Sequence, residues 1–160
     1  MSDFKFNIEE YLERIQLKGG VSESFECLKA IHHAQHRTIP FENLDICLGR
    51  RINLEPEVMV EKLVRNKRGG YCFELNGLLL LALQAFGFQA RALLGRVHIK
   101  GKPTGRGHFV CLVAINEQNW VVDSGFGAES PSIPMPLICN KVVSSNNQTP
   151  FTFFPSPDRS

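Results

Sequence analysis

Cys72 follows a pair of glycines, Gly69 and Gly70, and opens the most apolar run of the chain, Leu75 to Phe88. A sulfur at a helix start meets backbone N–H groups that have no carbonyl partner, and the aligned peptide dipoles favour negative charge there. That is the setting of a cysteine nucleophile. Glycines ahead of it allow a tight turn and a close backbone approach. A free cysteine is also commonly just a small buried hydrophobe. The nucleophile reading therefore needs a base within hydrogen-bond reach, and a third group to orient that base. His108 begins a predicted strand after Gly107. Asp123 ends the next strand and precedes Ser124, Gly125, Phe126 and Gly127. The order along the chain is Cys, His, Asp.

The elements that must position these residues fall into two halves. Asn7 is predicted to cap a first helix, with Glu10 closing a capping box. Ile8, Tyr11, Leu12 and Ile15 share one face of it, and Gly19 and Gly20 end it. Ser22 is a cap for a second helix, in which Phe25, Leu28 and Ile31 or His32 share a side, bounded by Pro40. Pro40 to Arg51 reads as a loop with short extended pieces. A third helix runs from Pro56 to about Arg65 with Met59 and Leu63 inward. The helix opened by Cys72 is apolar almost all round, so it is a central, buried element that stops at Gly87. Beyond Gly87 the period changes to alternation: Gln89 to Ile99, Gly107 to Asn116 and Asn119 to Asp123 read as strands. From Ser144 onward the composition is that of a loop or a frayed end. Helices followed by antiparallel strands indicate an α+β class. The expected division is a helical domain over 1–87 and an antiparallel β domain over 88–160.

The strand pair can be tested against the proposed chemistry. With Glu117 and Gln118 in the turn, Asn116 pairs with Asn119 and Leu112 with Asp123. His108 and Asp123 then share a sheet face. They stand four residues apart, roughly 13 Å along the strand. Contact requires a bend, a bulge, or an Asp123 that has already left the strand.

Other chemistry is weakly signalled. The five cysteines, Cys27, Cys47, Cys72, Cys111 and Cys139, are odd in number and scattered, with no CxxC. That argues against a disulfide framework or a zinc site. His32 and His36 have a helical spacing that can hold a metal, but no HExxH glutamate and no third ligand accompany them. No metal is expected. The formal net charge of +2 is spread along the chain, and the short basic run Lys62, Arg65, Lys67, Arg68 reads as a solvated helix end, so nucleic acid is not an expected partner. The apolar run is interrupted by Asn76, Gly77 and Gln84 and is too short to span a bilayer. With no signal-peptide pattern at the N-terminus, the expectation is a cytoplasmic protein in a reducing compartment.

Four segments in order resemble the arylamine N-acetyltransferase family. Ile39-Pro40-Phe41-Glu42-Asn43-Leu44 looks like its PFENL segment. Arg68-Gly69-Gly70-Tyr71-Cys72-Phe73-Glu74-Leu75-Asn76 looks like its signature around the nucleophile. Gly107-His108-Phe109-Val110 is similar to the histidine segment and Asp123-Ser124-Gly125-Phe126-Gly127 to the aspartate segment. The resemblance implies a helical bundle, then a β-barrel incomplete in this chain, in a cysteine-proteinase-like arrangement, and, in the family, a third domain. It implies a ping-pong acetyl transfer with acetyl-CoA as donor co-substrate and an arylamine, arylhydrazine or N-hydroxyarylamine as acceptor. Cys72 would carry the acetyl group, His108 would move protons, and Asp123 would fix the ring. Phe41, Tyr71 and Phe126 match acceptor-pocket positions, and Gly107 and Gly127 lie in the same segments; aromatic walls suit a flat aryl amine. Arg68 and Glu42, two charges inside otherwise apolar motifs, are expected to pair and brace the turn.

The chain departs from the family in length and carries Ser124 where a small apolar residue is commoner. An open barrel leaves unpaired edges and apolar faces. The expectation is low stability or self-association through that edge, with weak coenzyme A affinity. The readings that compete are a related Cys-His-Asp amide synthase, and a truncated paralogue that only binds. Transglutaminases and papain-like proteases share the chemistry, but the RGGYCFELN match disfavours a protease.

Overall fold

The computed structural model describes residues 4–96, 98–99, 102–103, 105–127, 130–143 and 151–154. Helix α1 spans Ile8–Arg14, and the Asn7 side chain accepts from the N–H groups of Glu9 at 3.0 Å and Glu10 at 3.2 Å. The reciprocal half of the expected capping box is not made, because the Glu10 carboxylate is drawn 3.1 Å from Arg65 instead. The helix also ends before Gly19: Gln16 takes a positive φ of 57° and turns the chain there. The Arg14 guanidinium then donates to three carbonyls, Leu63 at 2.8 Å, Thr38 at 2.9 Å and Lys67 at 3.4 Å.

Helix α2 spans Phe25–Thr38 and is capped by Ser24, whose hydroxyl accepts from Cys27 N at 3.2 Å. Ser22, the expected cap, instead contacts the Ser24 hydroxyl at 3.1 Å. The stretch read as loop contains one helical turn, α3, Leu44–Cys47. Helix α4, Pro56–Val60, starts on its proline and passes into a π-helical turn, Glu61–Arg65. Helix α5, Cys72–Ala85, is the buried centre: Leu75, Leu78, Leu79, Ala82 and Leu83 are all fully enclosed.

Strand β1 is Gln89–Gly95, shorter than expected, because the chain breaks after Gly95 into a small hairpin of β2, His98–Ile99, and β3, Lys102–Pro103. Strands β4, His108–Ile115, β5, Gln118–Val122, and β6, Met135–Pro136, follow. The main sheet has the order β1-β4-β5-β6, antiparallel throughout. Near the end, β7, Val142–Val143, pairs with β8, Phe151–Thr152, so part of the stretch read as a frayed tail is tied into a ladder.

The register corrects the expected hairpin. Ile115 pairs with Gln118 and Cys111 with Val122. The turn residues are Asn116 and Glu117, both with positive φ, 47° and 64°. Two central residues of that hand make the turn whose twist matches a hairpin. Extending the register one step past Val122 sets Asp123 level with Val110, two residues from His108 rather than four. Parity is kept, so the two still share a face, and the gap along the strand falls to about 7 Å.

Alternate residues of β4 serve two apolar clusters. Cys111 and Val113 join the main core with Tyr11, Leu28, Leu63, Leu75, Leu79 and Val122. Val110 and Leu112 pack with Val121 on the other face. Burial on both faces explains why the strand reads as a near-continuous apolar run. Among the described residues no helix is long and apolar enough to cross a membrane.

Candidate active site

Two glycines set up the turn before α5. Gly70 N donates to Pro40 O at 3.2 Å and Gly70 O accepts from Glu42 N at 2.9 Å. A Cβ on Gly69 would collide with the Pro40 carbonyl, so this close approach requires glycine. The Tyr71 N–H donates to the Glu74 carboxylate at 3.1 Å, which caps the first turn of the helix.

A charge network locks the same turn. Arg68 meets Glu42 at 2.7 Å and Asp45 at 3.0 Å. Lys62 meets Glu74 at 2.7 Å and Asp45 at 2.8 Å, and Arg50 meets Asp45 at 3.1 Å. The hydrogen bonds from Lys62 and Arg68 hold the Asp45 carboxyl well below the usual range. Burial works against the Lys62 charge, but Asp45 and Glu74 outweigh it and raise its pKa. Of these residues, sequence reasoning singled out the Arg68–Glu42 pair; Asp45, Lys62 and Glu74 complete it.

Cys72 is half-buried at the first position of α5, its sulfur 3.9 Å from the Gly107 carbonyl oxygen. His108, at the start of β4, and Asp123, just beyond β5, are buried. His108 Nε2 lies 2.6 Å from Asp123 Oδ2. With Nε2 committed to Asp123, Nδ1 is the ring nitrogen left for the sulfur. Burial alone would depress the imidazole, but Asp123 and the nearby Cys72 prevail and push its pKa up to about 9. Burial likewise acts to raise Asp123, and His108, Asn76 and the Gly125 N–H overcome it and lower its pKa. A sulfur beside a ring whose far nitrogen is anchored on a carboxylate can surrender its proton to that ring.

The remaining sequence-chosen residues gather nearby. Phe126 sets its ring edge against His108, with centroids 4.9 Å apart. Tyr71 stacks on Phe73 at 5.6 Å. Gly127 has a left-handed φ of 82° and lies beside the Phe41 ring, and Phe41 bridges to Gly70. Gly125 packs against Cys72 itself: an added Cβ would lie 2.9 Å from the Cys72 Cα.

Behind the three lies a buried polar layer that sequence reasoning passed over. Asn76 donates to Asp123 Oδ1 at 2.9 Å and to the Phe109 carbonyl at 2.6 Å. Gln35 donates to Ser124 Oγ at 2.8 Å and to Leu75 O at 2.9 Å, and accepts from the Tyr11 hydroxyl at 2.7 Å. His32 Nε2 sits 2.9 Å from the Asp123 carbonyl, and burial pushes the ring's pKa down to about 4. The ring is therefore neutral and its Nε2–H donates to that carbonyl. The available signal was the polarity of Asn76 in an otherwise apolar helix; α2 is rich in polar residues and gave none for Gln35.

A family model described as N-acetyltransferase matches residues 24–158. The chain belongs to the arylamine N-acetyltransferase family. An Escherichia coli arylamine N-acetyltransferase is 40% identical over 137 residues, 84% of this chain and 49% of that protein. A Salmonella typhimurium arylamine N-acetyltransferase / N-hydroxyarylamine O-acetyltransferase is 41% identical over 133 residues, 81% of this chain and 47% of its own length. The chain thus spans about half the length of these arylamine N-acetyltransferases. Among solved structures, a Mycobacterium smegmatis N-arylamine acetyltransferase superposes with a TM-score of 0.87 at 34% identity, covering 96% of this chain and 58% of that one. The Salmonella typhimurium enzyme superposes with a TM-score of 0.81 at 37% identity, covering 86% and 51%. The mixed helical and antiparallel arrangement is that of the arylamine N-acetyltransferases.

Proposed function

We propose that this chain transfers an acetyl group from acetyl-CoA, through a thioester on Cys72, to an arylamine, arylhydrazine or N-hydroxyarylamine. The observation that carries the reading is the His108–Asp123 contact at 2.6 Å near Cys72, which opens a buried helix. In the first half, the thiol proton already rests on His108 Nδ1, and the Cys72 thiolate attacks the thioester carbonyl. The tetrahedral oxyanion collapses, the C–S bond to coenzyme A breaks, and the leaving thiolate receives the proton from the imidazolium. In the second half, the amine nitrogen attacks the acetyl carbonyl on Cys72. The ring accepts the amine proton and keeps it as the Cys72 thiolate leaves, which restores the starting pair. Splitting one transfer into two covalent steps is what a cysteine nucleophile offers.

Asp123 holds the ring in the tautomer that keeps Nδ1 free for sulfur and stabilises its cation. The first-turn N–H groups of α5 are the donors nearest the developing oxyanion. Phe41, Tyr71, Phe126 and the backbone at Gly107 and Gly127 form the acceptor side, where a flat ring stacks on aromatic walls. Arg68 and Glu42 brace the turn that presents the sulfur. The helical part over 1–87 supplies the nucleophile and the β part over 88–160, an incomplete barrel, supplies base and acid.

Intact-mass measurement after mixing with acetyl-CoA tests this. The expected result is one added acetyl group that is absent in Cys72→Ala and is discharged by an arylamine. A folded protein that gains no acetyl group overturns the proposal.

A further inference from the structure

Helix α5 carries a second polar group on the face that bears Cys72. Asn76 is four residues on, one helical turn, and so lies on the same side. It is fully buried, between Leu75 and Gly77 in a largely apolar helix. A buried amide is costly unless every bond is made, and here every one is. Its nitrogen donates to the Phe109 carbonyl at 2.6 Å and to Asp123 Oδ1 at 2.9 Å. Its oxygen accepts from Ser124 N at 2.9 Å and Ser124 Oγ at 3.3 Å. A backbone carbonyl only accepts and a backbone N–H only donates, so the amide has one possible orientation.

We propose that Asn76 is a positioning residue for the transfer reaction, fixing the Asp123 carboxylate so that Oδ2 alone is presented to His108. The inference rests on the reading of Cys72, His108 and Asp123 given above. Oδ1 is filled by two donors, Asn76 and the Gly125 N–H at 2.8 Å, which leaves Oδ2 for the ring at 2.6 Å. Because nucleophile and clamp ride on one rigid helix turn, the helix itself sets how far the carboxylate stands from the sulfur. Gln35, bonded to Ser124 Oγ and to the Leu75 carbonyl, and Tyr11, bonded to Gln35, back this clamp from α2 and α1. Without the Asn76 donor Oδ1 keeps only the Gly125 N–H of its neighbouring turn, so the carboxylate is freer to rotate about its Cβ–Cγ bond and the imidazole has a less fixed partner.

The test compares the intact protein with Asn76→Ala and with the near-isosteric Asn76→Asp, which keeps an acceptor for Ser124 but presents no amide donor to Asp123. Acetylation of Cys72 by acetyl-CoA is followed by intact mass, and the His108 ring titration by nitrogen NMR. Both variants are expected to slow acetylation roughly 10- to 100-fold. In Asn76→Ala the His108 midpoint should drop toward that of an ordinary imidazole. Wild-type rates and an unmoved His108 midpoint in a folded Asn76→Asp or Asn76→Ala protein overturn the inference. If the wild type itself takes no acetyl group, the transfer reading fails, while the ring titration still decides whether Asn76 controls the pair. If neither variant folds, the side-chain amide protons of Asn76 in the wild type decide: they should be protected from exchange and shift as His108 titrates. Rapidly exchanging or stationary signals count against the clamp.

Discussion

His108 is held in its cationic form by Asp123, with Cys72 adding to the effect. Its pKa is lifted from an ordinary 6.5 to about 9. A histidine raised by folding contributes stability that is full below its ordinary value and is lost as pH climbs through the raised one. Asp123 is lowered, so its contribution is present above the ordinary carboxylate value and is lost as pH falls through the depressed one. The melting temperature should therefore decline between pH 6.5 and about 9, and Asp123→Asn should flatten that decline. A wild-type melting temperature that stays level over this window would contradict the pairing. The three residues stood out together: a histidine at a strand start or an aspartate before Ser-Gly is ordinary by itself, and their order after a cysteine at a helix start, within matching motifs, singled them out. Gln35 did not stand out, since it lies in a polar stretch of α2, and Asn76 and His32 were read without their partners. Only the packing of α2 and α5 against the sheet end shows what they touch.

At the scale of elements, the hairpin between β4 and β5 decides whether base and acid meet. Its register differs by two residues from the one the sequence suggested. The cause is local: Asn116 and Glu117, rather than Glu117 and Gln118, take the left-handed conformation. Asparagine visits that conformation readily and glutamate does not, so the sequence carried half of the usual Asn-Gly signal. Relieving the strain at the second position should help. Glu117→Gly is expected to stabilise the protein by about 0.5 kcal/mol, the left-handed penalty partly offset by the flexibility glycine adds to the unfolded chain. Thermal melts of the two proteins measure it; a lower melting temperature would mean that Glu117 makes compensating contacts. Helix α5 was the most legible element, because an apolar run bounded by Gly70 and Gly87 admits few alternatives. The π-helical turn at Glu61–Arg65 had no signature in composition or spacing.

Across the whole molecule, the turn before α5 is joined to the rest by charge as much as by apolar packing. Lys62 sits among Glu42, Asp45 and Glu74, at 3.9, 2.8 and 2.7 Å. Removing its charge takes the cation away from Glu74 and leaves Arg68 and Arg50 to balance Glu42 and Asp45. Lys62→Met should destabilise the fold by about 2 kcal/mol, less than for a fully enclosed pair because Lys62 keeps some contact with water. Arg68→Ala and Glu42→Ala should each lower the melting temperature as well. Unchanged melting in all three would show that the network does not brace the site. The sequence suggested one pair here, although Glu74 lies in the same motif as Arg68. Asp45 comes from α3, and Lys62, read as part of a solvated helix end, is largely buried among the carboxylates because the fold brings it to that pair.

Arg14 gives the boundary of the molecule a practical meaning. The family match begins at residue 24, yet this guanidinium, ten positions earlier, ties together the carbonyls of Thr38, Leu63 and Lys67. Tyr11, just before it, fills the core and bonds Gln35. A version of the chain trimmed to the matched region would keep Cys72, His108 and Asp123 and lose the clasp over the segment that leads into Arg68. For this protein the stretch that identifies the family is shorter than the stretch that holds the turn before α5 together.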